Sequence, residues 1–131
     1  MAMFKALSLA ILCIMPAGCS DTCGVDIVLR LTSPDGQRDA VMFQRDCGAT
    51  TGFSTQISIL KAGEELSGMG NAFRADDYHG AARSGPWGGP WAEMKWLSPD
   101  RLLIRYTPKS RLFEQDEHVS GVGVTYEVVG S

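Results

Sequence analysis

The chain has 131 residues, with 12 lysines and arginines against 15 aspartates and glutamates, and a formal net charge of −3. It contains no basic run, no interleaving of aromatic and basic residues and no zinc-finger spacing, so its composition argues against nucleic acid as a partner. A chain of this size can bury about two thirds of its unfolded surface, which predicts one domain with a hydrophobic core.

The N-terminal residues have the pattern of an export signal. Lys5 precedes a largely apolar run over residues 6–15, and small or helix-ending residues follow at 16–18. This run is too short to cross a bilayer, since a spanning helix needs about 20 apolar residues. The alternative, a buried core helix, would be amphipathic, which this run is not. The sequence therefore predicts a signal peptide over residues 1–18.

Cys19 follows the predicted signal directly. The sequence MPAGCS at 15–20 resembles the lipobox of bacterial lipoproteins, matching it at 17–19 and departing from it at Pro16, where an aliphatic residue is usual. The resemblance implies that Cys19 becomes a lipidated N-terminus in the bacterial cell envelope, and Ser20 beside it implies the periplasmic face of the outer membrane. The alternative is ordinary signal cleavage, which would release a free periplasmic or secreted protein.

Alternation and a turn signal predict the first strand pair of the body. Apolar residues recur at every second position over 25–31, and the SPDG sequence at 33–36 combines a proline with a glycine that accepts positive φ. A three-residue loop over 34–36 specifies one antiparallel register. In that register Ile27 faces Phe43, Leu29 faces Val41 and Cys23 faces Cys47.

The remaining cysteines agree with this register. Cys13 leaves with the signal and lipidation occupies Cys19, so Cys23 and Cys47 are left as a pair. Directly opposed strand residues lie about 4.5–5.5 Å apart at Cα, within reach of a disulfide. We therefore predict a Cys23–Cys47 bond. The alternative, a catalytic thiol at Cys47, would need a free thiol and a neighbouring base, and neither histidine lies near it in sequence.

Further short strands follow, with few helix signals. A second Ser-Pro-Asp turn at 98–100 joins two alternating stretches, and pairing about Asp100 sets Trp96 against Ile104 and Met94 against Tyr106. Other strand candidates lie at 54–60, 71–75, 111–118 and 122–129, with the last two paired through a turn near Ser120. Seven or so short strands predict a small antiparallel β-sandwich or open barrel, which forms a single β-rich domain over 23–131 after a tether at 19–22.

The least regular stretch, residues 79–91, is rich in glycine and proline and displays Trp87 and Trp91. On an exposed loop these rings would stack on a sugar, a peptide or a protein partner. The alternative is that they fold back and close the open end of the sandwich. Thr51 and Gln56 are further ligand-binding candidates if the fold places them in a cleft.

No residue is assigned to catalysis, to a metal or to a cofactor. Asp76, Asp77 and His79 lie close together, but they lack the spacing of a metal site. The acidic residues over 114–118 are more typical of a solvated strand edge than of paired catalytic carboxylates.

Three segments resemble an uncharacterised family of small exported bacterial proteins known only as a domain of unknown function. They are SPDGQRDAVMFQRDCGATTGFSTQISIL at 33–60, GNAFRAD at 70–76 and MKWLSPDRLLIRY at 94–106. The resemblance covers most of the chain after Cys23, and residues 80–91 depart from it as an insertion. It implies no activity.

Together these features predict a lipid-anchored binding or interaction module of the cell envelope, with a protein or glycan as its partner and the membrane reached through the N-terminal lipid. A small envelope hydrolase is one alternative. A lipoprotein that inhibits hydrolases or confers immunity to them is the other.

Overall fold

The computed structural model describes residues 23–48 and 53–130. Within these ranges there are nine strands: β1 (Gly24–Thr32), β2 (Arg38–Asp46), β3 (Ser54–Lys61), β4 (Phe73–Asp76), β5 (Ala92–Ser98), β6 (Arg101–Tyr106), β7 (Arg111–Gln115), β8 (His118–Val119) and β9 (Val122–Val128). They form a five-stranded sheet in the order β1-β2-β3-β4-β7 and a four-stranded sheet in the order β5-β6-β9-β8. This architecture confirms the predicted all-β fold. The same residues contain no helix of a length and apolarity that would let it span a membrane.

The hydrophobic core lies between the two sheets and follows the period-2 alternation of strands. Trp96 ties the two sheets together at one side, because its indole N–H donates to the Leu31 carbonyl at 2.9 Å. Tyr126 ties them at the other side through its hydroxyl, 3.0 Å from the Ala72 carbonyl. The largest fully buried side chains of this core are Phe73, Ile57, Ile59, Leu102, Ile104 and Val122.

The first hairpin confirms most of the predicted register. Ile27 pairs with Phe43, and Cys23 is bonded to Cys47. The predicted Leu29–Val41 pair is wrong, since the register shifts after Ile27 and Leu29 pairs with Met42. The turn is one residue longer than predicted, because the Ser33 N–H donates to the Arg38 carbonyl at 2.8 Å. A bulge at Val28 compensates for this extra residue.

The second hairpin differs from the predicted register. Met94 pairs with Ile104 and Trp96 pairs with Leu102, so both predicted pairs are wrong by two residues. Ser98 pairs directly with Arg101, which leaves only Pro99 and Asp100 in the turn. A longer loop would have forced Arg101 into the left-handed region that L-residues avoid. The tight turn keeps it in the strand instead.

The stretch 111–118 was predicted as one strand beside the last one, but it divides between the two sheets. Residues of β7 pair with β4, and only the two-residue β8 pairs with β9. The break lies at Asp116, whose N–H donates to the Ala72 carbonyl and whose own carbonyl accepts the Tyr126 hydroxyl. A further difference is that β6 and β9 run parallel, which makes the four-stranded sheet mixed.

A crossing segment, residues 62–72, covers part of the outward face of the five-stranded sheet. At one end the Gly63 N–H donates to the Asp39 carboxylate, and at the other the Gly70 N–H donates to Gln56 Oε1 at 2.7 Å. Val41 and Phe43 point to this outward side and are nevertheless fully buried. Strand β2 is therefore apolar on both faces.

Asp39 joins the crossing segment to the first hairpin. It is 3% exposed, and its carboxylate accepts hydrogen bonds from the Arg30 guanidinium, the Thr32 hydroxyl and the Gly63 N–H. Burial alone would raise the pKa of Asp39, but the bonds from Gly63, Thr32 and Arg30 outweigh it and hold the pKa below its ordinary value.

We expect Asp39→Asn to lower the free energy of unfolding at pH 7 by about 2–4 kcal/mol, because the amide cannot accept all three donors. The pKa is depressed in the folded state, so the carboxylate's contribution is complete above its unfolded pKa of about 3.9 and is lost as the pH falls through the folded value. Urea unfolding of both proteins between pH 7 and pH 2.5 measures this. The difference in unfolding free energy between wild type and variant should become smaller below about pH 4.

Asp26→Asn is the matched control, since it removes one negative charge from an exposed position of the same hairpin. It should leave the unfolding free energy within about 0.5 kcal/mol of wild type. If the difference in unfolding free energy between wild type and Asp39→Asn stays constant down to pH 2.5, the ionised Asp39 carboxylate does not stabilise the fold in this way.

Candidate functional site

The candidate site lies on the outward face of the five-stranded sheet, beyond the edge of the crossing segment. Pairing of β2, β3, β4 and β7 aligns polar side chains in two rows across this face. The first row runs Arg45, Ser54, Asp76 and Arg111, and the second runs Gln56, Arg74 and Glu114. On β4 and β7 the arginines and carboxylates alternate, so Arg74 lies beside Glu114 and Arg111 lies beside Asp76.

Apart from Glu114, the residues of these rows form the floor of a cleft of about 520 Å³. Met69 of the crossing segment and Cys47 of the disulfide contribute to its lining, together with Phe113 of β7 and the loop after β4. Phe113 and Met69 are more than half exposed. Exposed apolar side chains around a polar floor are typical of a binding surface.

Arg111 is held rigidly in the first row. Its Nε and Nη2 groups donate to the two carboxylate oxygens of Asp76, in the bidentate geometry that pairs a guanidinium with a carboxylate. Its guanidinium carbon lies 5.5 Å from the Tyr78 ring centroid and 5.2 Å from the Phe113 ring centroid. Burial alone would raise the pKa of Asp76, but the hydrogen bonds from Arg111 and from the Tyr78 N–H hold it below its ordinary value.

Arg74 occupies the second row and is less completely satisfied. Its Nη2 group donates to Glu114 at 3.0 Å, whereas its Nη1 group faces the Met69 thioether sulfur at 2.9 Å. Its Nε–H group is buried and has no hydrogen-bond partner in the described part of the chain. A thioether is a weak acceptor, so one side of this guanidinium lacks a strong one.

Glu114 and Asp116 form a carboxyl pair next to Arg74. Their mutual hydrogen bond lowers the pKa of Glu114, with Arg74 adding to the effect, and raises the pKa of Asp116. Neither of them lines the cleft. Glu114 lies on β7, at one end of the five-stranded sheet, and the interpretation of the acidic stretch as a solvated strand edge stays a prediction.

The loop after β4 is conformationally unusual. Tyr78 and His79 both adopt left-handed backbone angles, with φ of 53° and 57°, before Gly80 at 88°. The Tyr78 N–H donates to Asp76 Oδ1 at 2.9 Å, which holds the start of this turn against the cleft. Residues other than glycine in this region are strained, and such strain concentrates at functional sites.

The structure brings only some of the sequence-predicted site residues together. Gln56 is buried and lines the cleft. Asp76, Asp77 and His79 also line it, and His79 is exposed. Thr51 and Cys19 lie outside the described residues. Among those that are described, no group of three or more histidine, cysteine, aspartate or glutamate side chains could hold a metal ion.

Trp87 lies on the opposite side of the five-stranded sheet, at the open end of the sandwich. Its ring packs against the core, and its N–H donates to the Thr55 hydroxyl at 2.8 Å. That hydroxyl, fully buried, donates in turn to the Pro90 carbonyl. Gly85 permits the contact, since a Cβ there would come within 2.5 Å of the ring. The ring therefore closes the end of the core.

Trp91 is half-buried and does not line the cleft. The Arg83 guanidinium carbon lies 4.7 Å from its ring centroid, which covers one face of the ring. Its backbone N–H donates to the Arg83 carbonyl at 2.9 Å, closing the small loop that carries Trp87. Ligand binding by either tryptophan stays a prediction.

The arginines of the cleft were not predicted from the sequence. One signal was present: Arg74 alternates with Phe73 and Ala75, which places it opposite the core. Alternation alone does not show that Asp76 and Arg111, 35 residues apart in sequence, share a row. That requires the register of β4 against β7.

Comparison with known proteins adds no family, since neither a family model, a curated protein nor a solved structure matches the chain. The resemblance of segments 33–60, 70–76 and 94–106 to a domain of unknown function stays a prediction.

Proposed function

We propose that this protein is a non-catalytic binding module of the bacterial cell envelope, anchored through a lipid on Cys19, and that the cleft on the five-stranded sheet receives its ligand or partner. The observation that carries the proposal is the cleft itself. It combines fixed guanidinium groups with the exposed side chains of Met69 and Phe113, and its Asp76 carboxylate is already engaged by Arg111. Such a surface is suited to holding a ligand rather than to proton transfer.

The position of the disulfide supports a link between anchor and cleft. Cys23 lies 4.1 Å from Cys47 at Cα, and Cys47 lines the cleft. Four residues of extended chain reach at most about 14 Å. A lipid on Cys19 would therefore keep the cleft close to the membrane surface, where a partner would be another envelope component.

Pull-down from envelope extracts tests the binding role. We expect the wild-type protein to retain a partner that is lost when Phe113→Ala removes the exposed ring of the cleft. Leu97→Ala is the matched control, because Leu97 is about as exposed but lies on the four-stranded sheet. Equal retention by both variants, or none by the wild type, would refute the assignment of the cleft.

Mass spectrometry of the mature N-terminus tests the anchor. We expect the chain to begin at Cys19 with a diacylglycerol thioether. An unmodified start at Ser20 or Asp21 would refute the anchor and leave the alternative of a free periplasmic or secreted protein.

One observation favours a small envelope hydrolase as a second candidate: Asp76, Asp77 and His79 share the cleft. Both oxygens of Asp76 accept from Arg111, so acid–base chemistry would fall to Asp77 and His79. Turnover of fluorogenic ester, peptide or glycoside substrates by the wild type, abolished in Asp77→Asn, would establish this function in place of simple binding.

A further inference from the structure

We infer that the ligand of the cleft is an oxyanion, a carboxylate or phosphate group, carried on an apolar body, and that Arg74 receives it when the Met69 side chain moves aside. This inference rests on the proposed binding role of the cleft and specifies the chemistry of its ligand.

Arg74 and Arg111 supply hydrogen-bond donors on the floor of the cleft. Asp76 is neutralised by Arg111, and Glu114 beside the cleft is neutralised by Arg74. Each of these two guanidinium groups keeps donor capacity that its carboxylate partner does not fill, and an oxyanion matches that capacity.

The anion binds at Arg74. Arg74 Nη1 has only the Met69 sulfur at 2.9 Å, and its Nε–H has no partner in the described ranges. A thioether is a weak acceptor, so an oxyanion oxygen bound at Nη1 would replace it with a charge-assisted hydrogen bond. Arg111 Nη1 likewise donates to no acceptor among the described residues, so two guanidinium groups present donors to one cleft.

The Met69 side chain lies against the Arg74 guanidinium. Met69 is 57% exposed, lies on the crossing segment rather than on a strand, and offers Arg74 only a weak acceptor. An unbranched thioether has three rotatable bonds and can adopt another rotamer at little cost. Met69 therefore acts as a displaceable cover over Arg74.

Exposed apolar side chains supply the remainder of the binding surface. Phe113 lines the cleft and is 56% exposed, and its ring centroid lies 5.2 Å from the Arg111 guanidinium carbon. With Met69 turned aside, an apolar surface lies next to the anion position. An amphiphile with a small anionic head satisfies both parts of the cleft.

Isothermal titration with four probes tests the inference: octyl phosphate, octanoate, octyl glucoside and inorganic phosphate, with the octyl probes below micelle formation. We expect octyl phosphate, octanoate or both to bind, with an affinity that falls as salt is raised. The preference between these two distinguishes a phosphate source from a carboxylate source. Octyl glucoside should not bind, and inorganic phosphate should bind at least tenfold more weakly than the better amphiphile.

Four variants separate the role of Arg74 from a merely structural one. Arg74→Gln should weaken binding at least tenfold, while Arg105→Gln, on the outward face of the other sheet, should leave it unchanged. Met69→Leu keeps the volume and removes the sulfur, so it should bind as tightly as the wild type or up to threefold more tightly. Met69→Glu, tested because Arg74→Gln could unfold the protein, places a carboxylate beside Arg74 and should weaken binding at least tenfold.

Several results would overturn the inference. They are the absence of binding by every anionic probe, equal binding of octyl glucoside, equal affinities for inorganic phosphate and octyl phosphate, and wild-type affinity in both Arg74→Gln and Met69→Glu. If Phe113→Ala nevertheless abolishes partner retention in the pull-down, the ligand chemistry is wrong and the binding role of the cleft still holds.

Discussion

Removal of the Cys23–Cys47 crosslink by a double Cys→Ser substitution should lower the free energy of unfolding by about 3.5 kcal/mol. The bond closes a loop with a sequence separation of 24, and its effect in the chain-entropy model comes from restricting the unfolded chain. Urea unfolding of the oxidised wild type and of the double variant measures the difference. The denaturant slope should also increase, because an unfolded chain without the crosslink exposes more surface.

The double variant also supplies its own control. A reducing agent should shift the wild-type transition to that of the variant and should leave the variant itself unchanged. If the oxidised and reduced wild-type proteins unfold at the same urea concentration, the hairpin alone restricts the unfolded chain as much as the disulfide does. In that case the crosslink would serve to hold the tether against the cleft rather than to stabilise the fold.

The disulfide was predictable because it depends on local geometry. Alternation over 25–31 and the turn at 33–36 are both encoded within one short stretch, and they specify the Ile27–Phe43 pair correctly. The error begins where the turn takes one more residue and Val28 bulges to absorb it. Bulges have no clear signature in a single sequence, so the predicted register is wrong between the turn and Val28 and is correct beyond Val28, where the bulge cancels the extra turn residue.

The non-local features of the fold could not be predicted from the sequence. The run Ala40–Phe43 is buried on both faces because the crossing segment packs outside β2, and nothing in the run shows where that segment will pass. At Gly70 the segment comes so close to β3 that a Cβ would lie 2.9 Å from the Ile57 carbonyl oxygen. The parallel contact between β6 and β9 is another such feature.

The candidate site was only partly predictable for the same reason. Gln56 was expected to matter if it lay in a cleft, and it does line one. The guanidinium groups of Arg74 and Arg111 are positioned by hydrogen bonds to carboxylates on neighbouring strands, those of Glu114 and Asp76. Single alternating charges look like an ordinary solvated face until the strand order and register are known.

Trp87→Ala should lower the free energy of unfolding by about 2–4 kcal/mol, which combines a cavity at the end of the core with the loss of one hydrogen bond. The ring packs against buried residues, and its N–H is a partner of the fully buried Thr55 hydroxyl. For a domain of this size the melting temperature should fall by roughly 8–16 °C. Thermal unfolding monitored by circular dichroism measures this.

Two further variants separate the contributions of the ring and of its N–H group. Trp87→Phe keeps an aromatic ring and leaves Thr55 without its donor, so it should cost about 1 kcal/mol. Trp91→Ala should also cost about 1 kcal/mol, since its ring is half-buried and covered on one face by Arg83. If Trp87→Ala instead melts like the wild type and loses the retained envelope partner, the ring is a binding surface and the cleft is not the only site of recognition. If it melts early and a folded population at low temperature still retains the partner, the ring serves the core and recognition lies across the sheet, in the arginine-lined cleft.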